Sequence, residues 1–402
     1  MKKLSYTTII LAAACLLLPG CSDDAADKVF VSPDVLVADS EVEIKLSSNS
    51  SNMVTRAGLY DGESFSTPTE CVIGGNTIEP KLALFCLATG IQDGTSDATE
   101  PNWTKYSEDQ KSNDVWLKNM ESRVWEGNIE LNETAFYPLS NWYTYSFYGL
   151  YTKQNNPVMP SQDKMDVVVY LNGYDDIIWG KSFVSDEDTQ KDYAYSAKYY
   201  REHIKEDNPA GPAQMQFHHM LTCFQFQVKP MDDNAKDMVI TSIKLKNQPS
   251  HGRLCIASKN QEYTEGEIGE YTNATFKDIT LYDVEIEKDE EQRTLIETLT
   301  PAQFTIEEDM VLETAYDLGG ADDPAAFYVM PNQEKYTLIV NLWKDGKDFP
   351  PAELDIPIED MSNVAAGKRN IVKLALYGPQ EISLQATLED WEDTDEDLEI
   401  EL

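Results

Sequence analysis

Trp142-Tyr143-Thr144-Tyr145-Ser146-Phe147-Tyr148-Gly149-Leu150-Tyr151 is the stretch that decides the fold. It is rich in aromatic residues, is too short for a long helix and is bounded by polar sequence, which is the composition of a strand. Two further runs repeat the pattern on either side, Lys81-Leu82-Ala83-Leu84-Phe85-Cys86-Leu87 and Val167-Val168-Val169-Tyr170. Polar loops separate them. Gln92 to Asn113 is long and polar, and Lys153 to Asp163 contains Pro157 and Pro160, so neither is expected inside a strand. A helix is expected around Asp192 to Lys205. Asn208-Pro209-Ala210-Gly211-Pro212 then punctuates the chain and is read as a domain boundary.

Beyond that boundary, Phe217 to Val228, Met238 to Leu245, Tyr336 to Trp343, Arg369 to Leu376 and Glu381 to Leu388 read as strands, separated by acidic or Gly/Pro-rich loops such as Asp317 to Pro324. The fold class is therefore all-β, with two tandem antiparallel β-sandwich domains, residues 57–210 and 211–402. A chain of 402 residues that is 41% hydrophobic and 10% aromatic has enough apolar content for two such cores.

The N-terminal residues carry a different signal. Lys2 and Lys3 precede a ten-residue apolar run, Ile9 to Leu18, and Leu18-Pro19-Gly20-Cys21 closes it with small residues before a cysteine. A bilayer-spanning helix needs about 20 apolar residues, so this run reads as a removable export signal, residues 1–20. It resembles a bacterial lipoprotein signal, in which Cys21 becomes the lipidated N-terminus; Pro19 is an unusual residue at its position. Ordinary secretory cleavage nearby, with Cys21 left as a thiol, is the alternative. Ser22-Asp23-Asp24 resembles the acidic signal that sends Bacteroidales lipoproteins to the outer face of the outer membrane, although short acidic clusters are common in so acidic a chain. Lys+Arg number 32 against 71 Asp+Glu, a net charge of -39, which excludes a general nucleic-acid binder and adsorption to anionic lipid through a basic face.

After the signal, Val42, Ile44 and Leu46 alternate with Glu41, Glu43 and Lys45, the period of a half-buried strand. Ser47 to Asn52 breaks it. Thr55-Arg56-Ala57-Gly58 follows, an arginine before two small residues in a loop context that favours proteolysis. At the other end Leu398, Ile400 and Leu402 alternate with Glu399 and Glu401 after the acidic run Glu392 to Asp397.

These segments in order, together with Phe136-Tyr137-Pro138, Tyr145 to Tyr151, Phe217-His218-His219-Met220-Leu221-Thr222-Cys223-Phe224-Gln225-Phe226, Tyr328-Val329-Met330-Pro331-Asn332, Gly367-Lys368-Arg369-Asn370 and Ile382-Ser383-Leu384 through Asp390-Trp391, resemble the fimbrillin family, the Bacteroidales type V pilins. Arg369-Asn370 departs from it, since relatives often carry an aromatic residue there. The resemblance implies two transthyretin-like sandwiches and a structural subunit of an adhesive cell-surface fimbria. It implies an outer-membrane lipoprotein precursor, lipidated at Cys21, with a pro-segment over residues 21–56. An arginine-specific or trypsin-like protease would cut between Arg56 and Ala57. The Val42, Ile44 and Leu46 strand would then leave a groove that a strand of another pilin subunit fills. Leu398, Ile400 and Leu402 are a candidate donor strand; they equally read as the end of the second domain's last strand. A tip or anchor subunit is a related alternative.

The competing class is a lipid-anchored surface glycan-binding β-sandwich protein, because Trp103 and Trp116 lie near polar loops and aromatics stack on sugar rings. Trp142, Trp179, Trp343 and Trp391 read as core. Arg56 processing separates the classes, since a glycan binder must keep Cys21 and a polymerising pilin must lose it. His218 and His219 are adjacent, so on a strand they face opposite sides and cannot share a metal ion. Asp393 to Asp397 begins like a calcium loop but has Leu398 where the sharp turn needs glycine. No phosphate loop, nucleophile elbow or zinc-protease helix is present, so the sequence implies no cofactor, no metal and no enzyme. Cys71, Cys86, Cys223 and Cys255 remain after the signal and Cys21 are set aside, and they read equally as buried thiols or as bridges.

Overall fold

In the computed structural model, strand Lys81–Ile91 puts alternate residues into two different cores. Leu82, Leu84, Cys86 and Ala88 join one cluster, while Phe85 and Leu87 join another. Strand Tyr143–Thr152 pairs with it along its length and does the same, with Tyr145, Phe147 and Tyr151 on one side and Tyr148 and Leu150 on the other. A strand buried on both faces needs apolar residues at successive positions, and this accounts for the continuous runs in the sequence. The structure describes residues 41–48, 71–73, 76–78, 81–92, 98–125, 128–139, 142–152, 156–182, 195–203, 212–259, 264–288, 294–298, 304–306, 309–318, 326–358, 361–378 and 381–390.

These two strands sit in a seven-stranded sheet that closes into a barrel. Its order is Leu46–Ser48, Ala213–His219, Ile178–Ser182, Tyr143–Thr152, Lys81–Ile91, Val115–Trp125 and Asn128–Leu131, which pairs back onto Leu46–Ser48. All pairs are antiparallel except Leu46–Ser48 against Ala213–His219. The outer face of the barrel packs on a four-stranded sheet built from Val158–Pro160, Lys164–Tyr170, His251–Ser258 and Ile268–Glu270. Residues from both sides of the Pro-rich segment near residue 210 thus share one sheet. Residues 204–211 themselves lie outside the described residues.

A third core lies between two further sheets. One contains Thr222–Pro230, Tyr316–Asp317, Ala326–Val329, Lys368–Gly378 and Glu381–Asp390; the other is built around Val239–Pro249, Phe276–Lys288 and Thr337–Lys344. Phe224, Phe226 and Val228 face Ile243, Leu245, Leu338 and Val340 across it, and Phe226 meets Phe327 edge to face at 5.6 Å. The protein is all-β, and among the described residues strands far outnumber helix. An α-helix is formed by Ala197–His203, inside the expected 192–205 span.

Two expectations need correcting. Phe217 to Val228 is two strands in different sheets, Ala213–His219 and Thr222–Pro230. Met220 and Leu221 interrupt it because both side chains are buried, while the Met220 N–H donates to the Ile177 carbonyl at 2.8 Å and the Leu221 carbonyl accepts from Gly367 at 2.9 Å. The proline-bearing loop also holds a short strand, Val158–Pro160, in which Pro160 is the last residue and its missing N–H costs the ladder little.

Phe217 lies over two glycines. Gly180 is its direct cross-strand neighbour and Gly149 is the next one along, and a Cβ on Gly180 would meet the ring at 2.4 Å. Gly180→Val should therefore destabilise the protein by about 1–3 kcal/mol through overpacking, read as a lower urea midpoint with an unchanged m-value.

Candidate functional site: the strand that closes the barrel

The alternation in Glu41 to Ser48 is expressed directly in burial. Val42, Ile44 and Leu46 are buried at 8%, 4% and 3% exposure and belong to the barrel core, while Glu41, Glu43 and Lys45 face solvent. The segment is held on both edges. On one, the Tyr137 N–H donates to the Val42 carbonyl and the Ile44 N–H to the Ala135 carbonyl, each at 2.8 Å, and further along Leu46 and Ser47 register against Ile129 and Asn128. On the other, the Ala213 N–H donates to the Lys45 carbonyl at 3.0 Å, and Leu46 to Ser48 register in parallel with Ala213 to Met215. Burial of three such side chains is worth roughly 5–9 kcal/mol as an upper estimate, a large share of a typical domain's net stability. The exposed pair of Lys45 and Glu43 at 3.6 Å adds little.

The surroundings of the segment are mostly aromatic. Trp116 Nε1 donates to the Phe136 carbonyl at 2.7 Å and so fixes the loop that carries Ala135 and Tyr137. Tyr137 packs against Tyr200 of the helix at 5.2 Å and edge-on against Phe147 at 6.0 Å. Burial pushes the Tyr137 phenol well above its usual range, and the neighbouring Tyr200 adds to the effect. The chain is not tightly packed everywhere along the strand. A cavity of about 370 Å³ opens beside it, lined by Glu43 to Leu46, Asn128 to Leu131, Thr134, Ala135 and Pro212.

The other residues singled out in the sequence are dispersed. Cys21, Arg56, Ala57, Leu398, Ile400, Leu402, Trp391 and the Asp393 to Asp397 run lie outside the described residues. Trp103, a candidate for stacking on a sugar ring, is fully buried, and its Nε1 donates to the Ala88 carbonyl at 2.9 Å. It presents no face to a sugar ring, and the polar residues around it gave no sign of this because the carbonyl it bonds lies outside the loop, on strand Lys81–Ile91. Trp179 is buried, and Trp142 and Trp343 are half-buried. His218 is half-buried and His219 buried, the latter with Nδ1 2.6 Å from the Asp176 carboxylate. Among the described residues no group of three or more His, Cys, Asp or Glu is placed to hold a metal ion.

Cys86, Cys223 and Cys255 are buried and form no disulfide. Desolvation pushes the Cys86 thiol well up, and burial followed by the nearby Asp166 charge pushes Cys255 to about 12. Cys71 lies in the strand Cys71–Ile73.

Sequence reading missed the parallel partner of the closing strand. Ala213, Met215 and Phe217 alternate with Gln214, Gln216 and His218, a period-two signal that starts four residues before the strand expected there.

An all-β protein whose barrel is completed by its own N-terminal strand is the class that fold and site define. The chain belongs to the fimbrillin-like family, whose model matches residues 89–391, and it is accordingly a fimbrial or adhesin protein of the cell surface. Solved structures similar to it include a fimbrial protein from Bacteroides vulgatus, 11% identical, with 87% of this chain and 99% of that chain covered and a TM-score of 0.49. A candidate cell-adhesion protein from Bacteroides uniformis is 13% identical, with 88% and 98% covered and a TM-score of 0.44. The fimbrial anchor protein Mfa2 from Porphyromonas gingivalis is 9% identical, with 87% and 99% covered and a TM-score of 0.29. No curated protein matches the chain. Among the described residues no helix is long and apolar enough to cross a membrane.

Ile44→Ala should cost the uncut chain about 2–5 kcal/mol in a denaturant titration, while Glu43→Ala stays within about 0.5 kcal/mol, because only the first opens a cavity in the barrel. Native alkylation followed by peptide mapping should leave Cys86, Cys223 and Cys255 unmodified, with all three reacting once the protein is unfolded.

Proposed function

We propose that the chain is a fimbrial subunit assembled by strand exchange, and that Val42 to Leu46 is the strand exchanged. The observation that carries this is the closure of the barrel by a short N-terminal segment held on both edges and through alternate buried side chains. In this reading Cys21 takes the lipid that holds the precursor at the outer membrane. An arginine-specific or trypsin-like protease cuts between Arg56 and Ala57. Residues 21–56 then leave with the closing strand, freeing the subunit from its lipid.

Departure of that strand would leave unpaired backbone groups on Asn128–Leu131 and Ala135 to Tyr137 on one side and on Ala213–His219 on the other, over a row of apolar pockets. An extended strand from another subunit supplies both the missing hydrogen bonds and the missing side chains. Such an interface is head-to-tail and therefore propagates. The intact precursor, with both edges paired, is protected from premature polymerisation. Leu398, Ile400 and Leu402 are our candidate donor, with an apolar residue at every second position to match those that Val42, Ile44 and Leu46 vacate.

The test is limited proteolysis of the chain from Ser22 onward, without the lipidated cysteine, by a trypsin-like protease under native conditions. Intact mass should show a product beginning at Ala57, and an unboiled gel should show a ladder that boiling removes. A clean cut without a ladder assigns the donor to a different subunit. Resistance at Arg56 would sink the reading and favour a subunit that keeps its anchor.

A further inference from the structure

The cavity beside the closing strand sits where the ladder changes partner. At Leu46 and Ser47 the strand registers with Ile129 and Asn128, but by Ile44 its backbone bonds Ala135 instead, so residues 130–134 bow away from it. The cavity occupies that gap, with Glu130, Leu131 and Thr134 on its far wall and Ile44 and Lys45 on its near wall. Pro212 completes it. In the parallel register Leu46 opposes Ala213, which places Pro212 opposite Lys45. On that edge the Ala213 N–H donates to the Lys45 carbonyl.

We propose that this cavity is where an extended strand of a second fimbrial subunit first docks, before the resident strand has left. The proposal rests on the strand-exchange reading above and concerns the order of events at the same site. A volume of about 370 Å³ is at the small end of ligand-sized pockets. It is bounded by backbone that a strand can pair with, and it is continuous with the groove in which a strand already lies. The incoming chain forms its first contacts along Glu130 and Leu131, and each further contact replaces one of the resident strand's. No step then exposes the whole groove to water. On the rim, Glu43 is paired with Lys45 and Glu130 with Arg123, so the entry carries little net charge.

The experiment uses the chain from Ser22 onward, cut at Arg56 by an arginine-specific protease that is then inhibited, and a fluorescent peptide of residues 40–49 as the incoming strand. Fluorescence anisotropy follows its exchange with the resident segment. Docking at the cavity requires a rate that rises linearly with peptide concentration. Thr134→Trp, which fills the cavity from an exposed position, should lower that rate about tenfold while leaving the equilibrium affinity of the peptide within about twofold. A rate that is independent of peptide concentration, or unchanged by Thr134→Trp, overturns the docking step and leaves strand exchange standing. Absence of any exchange after complete cleavage overturns strand exchange itself, and the docking step with it.

Discussion

A β-sheet rolled into a barrel tolerates no missing strand, and here the missing place is filled by a segment only a few residues long. Asn128–Leu131 and Ala213–His219 do not pair with each other; Leu46–Ser48 stands between them and joins both. Each of those neighbours would otherwise present a row of unpaired donors and acceptors beside an open apolar core. The rest of the first half is arranged around that need. Trp116 fixes the loop that bonds Val42 and Ile44, Tyr200 of the short helix packs on Tyr137, and Phe217 fills the barrel over Gly149 and Gly180.

The same half is buttressed from outside. Because Lys81–Ile91 and Tyr143–Thr152 are buried on both faces, the barrel wall is fixed by the sheet of Lys164–Tyr170 and His251–Ser258 as well as by its own interior. Loss of the closing strand takes three apolar side chains from the inner cluster and none from the outer one. A wall held on its outer face can keep its curvature while the inner face is refilled. That is the property a strand acceptor needs and an isolated single-layer barrel would lack.

What the sequence made legible follows from how local each signal is. The buried runs around Phe85, Phe147 and Val168, and the alternation of Val42, Ile44 and Leu46, are periodicities within one strand, so they could be read without any partner. The switch at Met220 and Leu221 could not. Both residues look like a continuation of the strand, and only the Ile177 carbonyl and the Gly367 N–H, each far along the chain, show that the backbone changes sheets there. Trp103 is a similar case, a residue in a polar stretch that packs with Phe85, Leu87 and Tyr148 of the two long strands. The cavity is a more extreme one. It is made by the difference between two pairings, Leu46 with Ile129 and Ile44 with Ala135, and neither has a trace in the residues of the strand itself.

The tether adds a constraint on how the proposed cycle can run. While the closing strand remains covalently joined to the rest of the chain, its binding is intramolecular. Cutting at Arg56 removes that advantage without altering any contact in the groove. The hydrogen bonds to Tyr137, Ala135 and Ala213 and the burial of Val42, Ile44 and Leu46 are the same a moment after cleavage as before it. Most differences in affinity at such interfaces are expressed in the dissociation rate, so a strand held this way leaves slowly when left alone. In the proposed cycle, cleavage would therefore make the strand replaceable rather than absent. A subunit that keeps its edge covered until its successor has begun to bind avoids the exposed, aggregation-prone state that an empty groove would be.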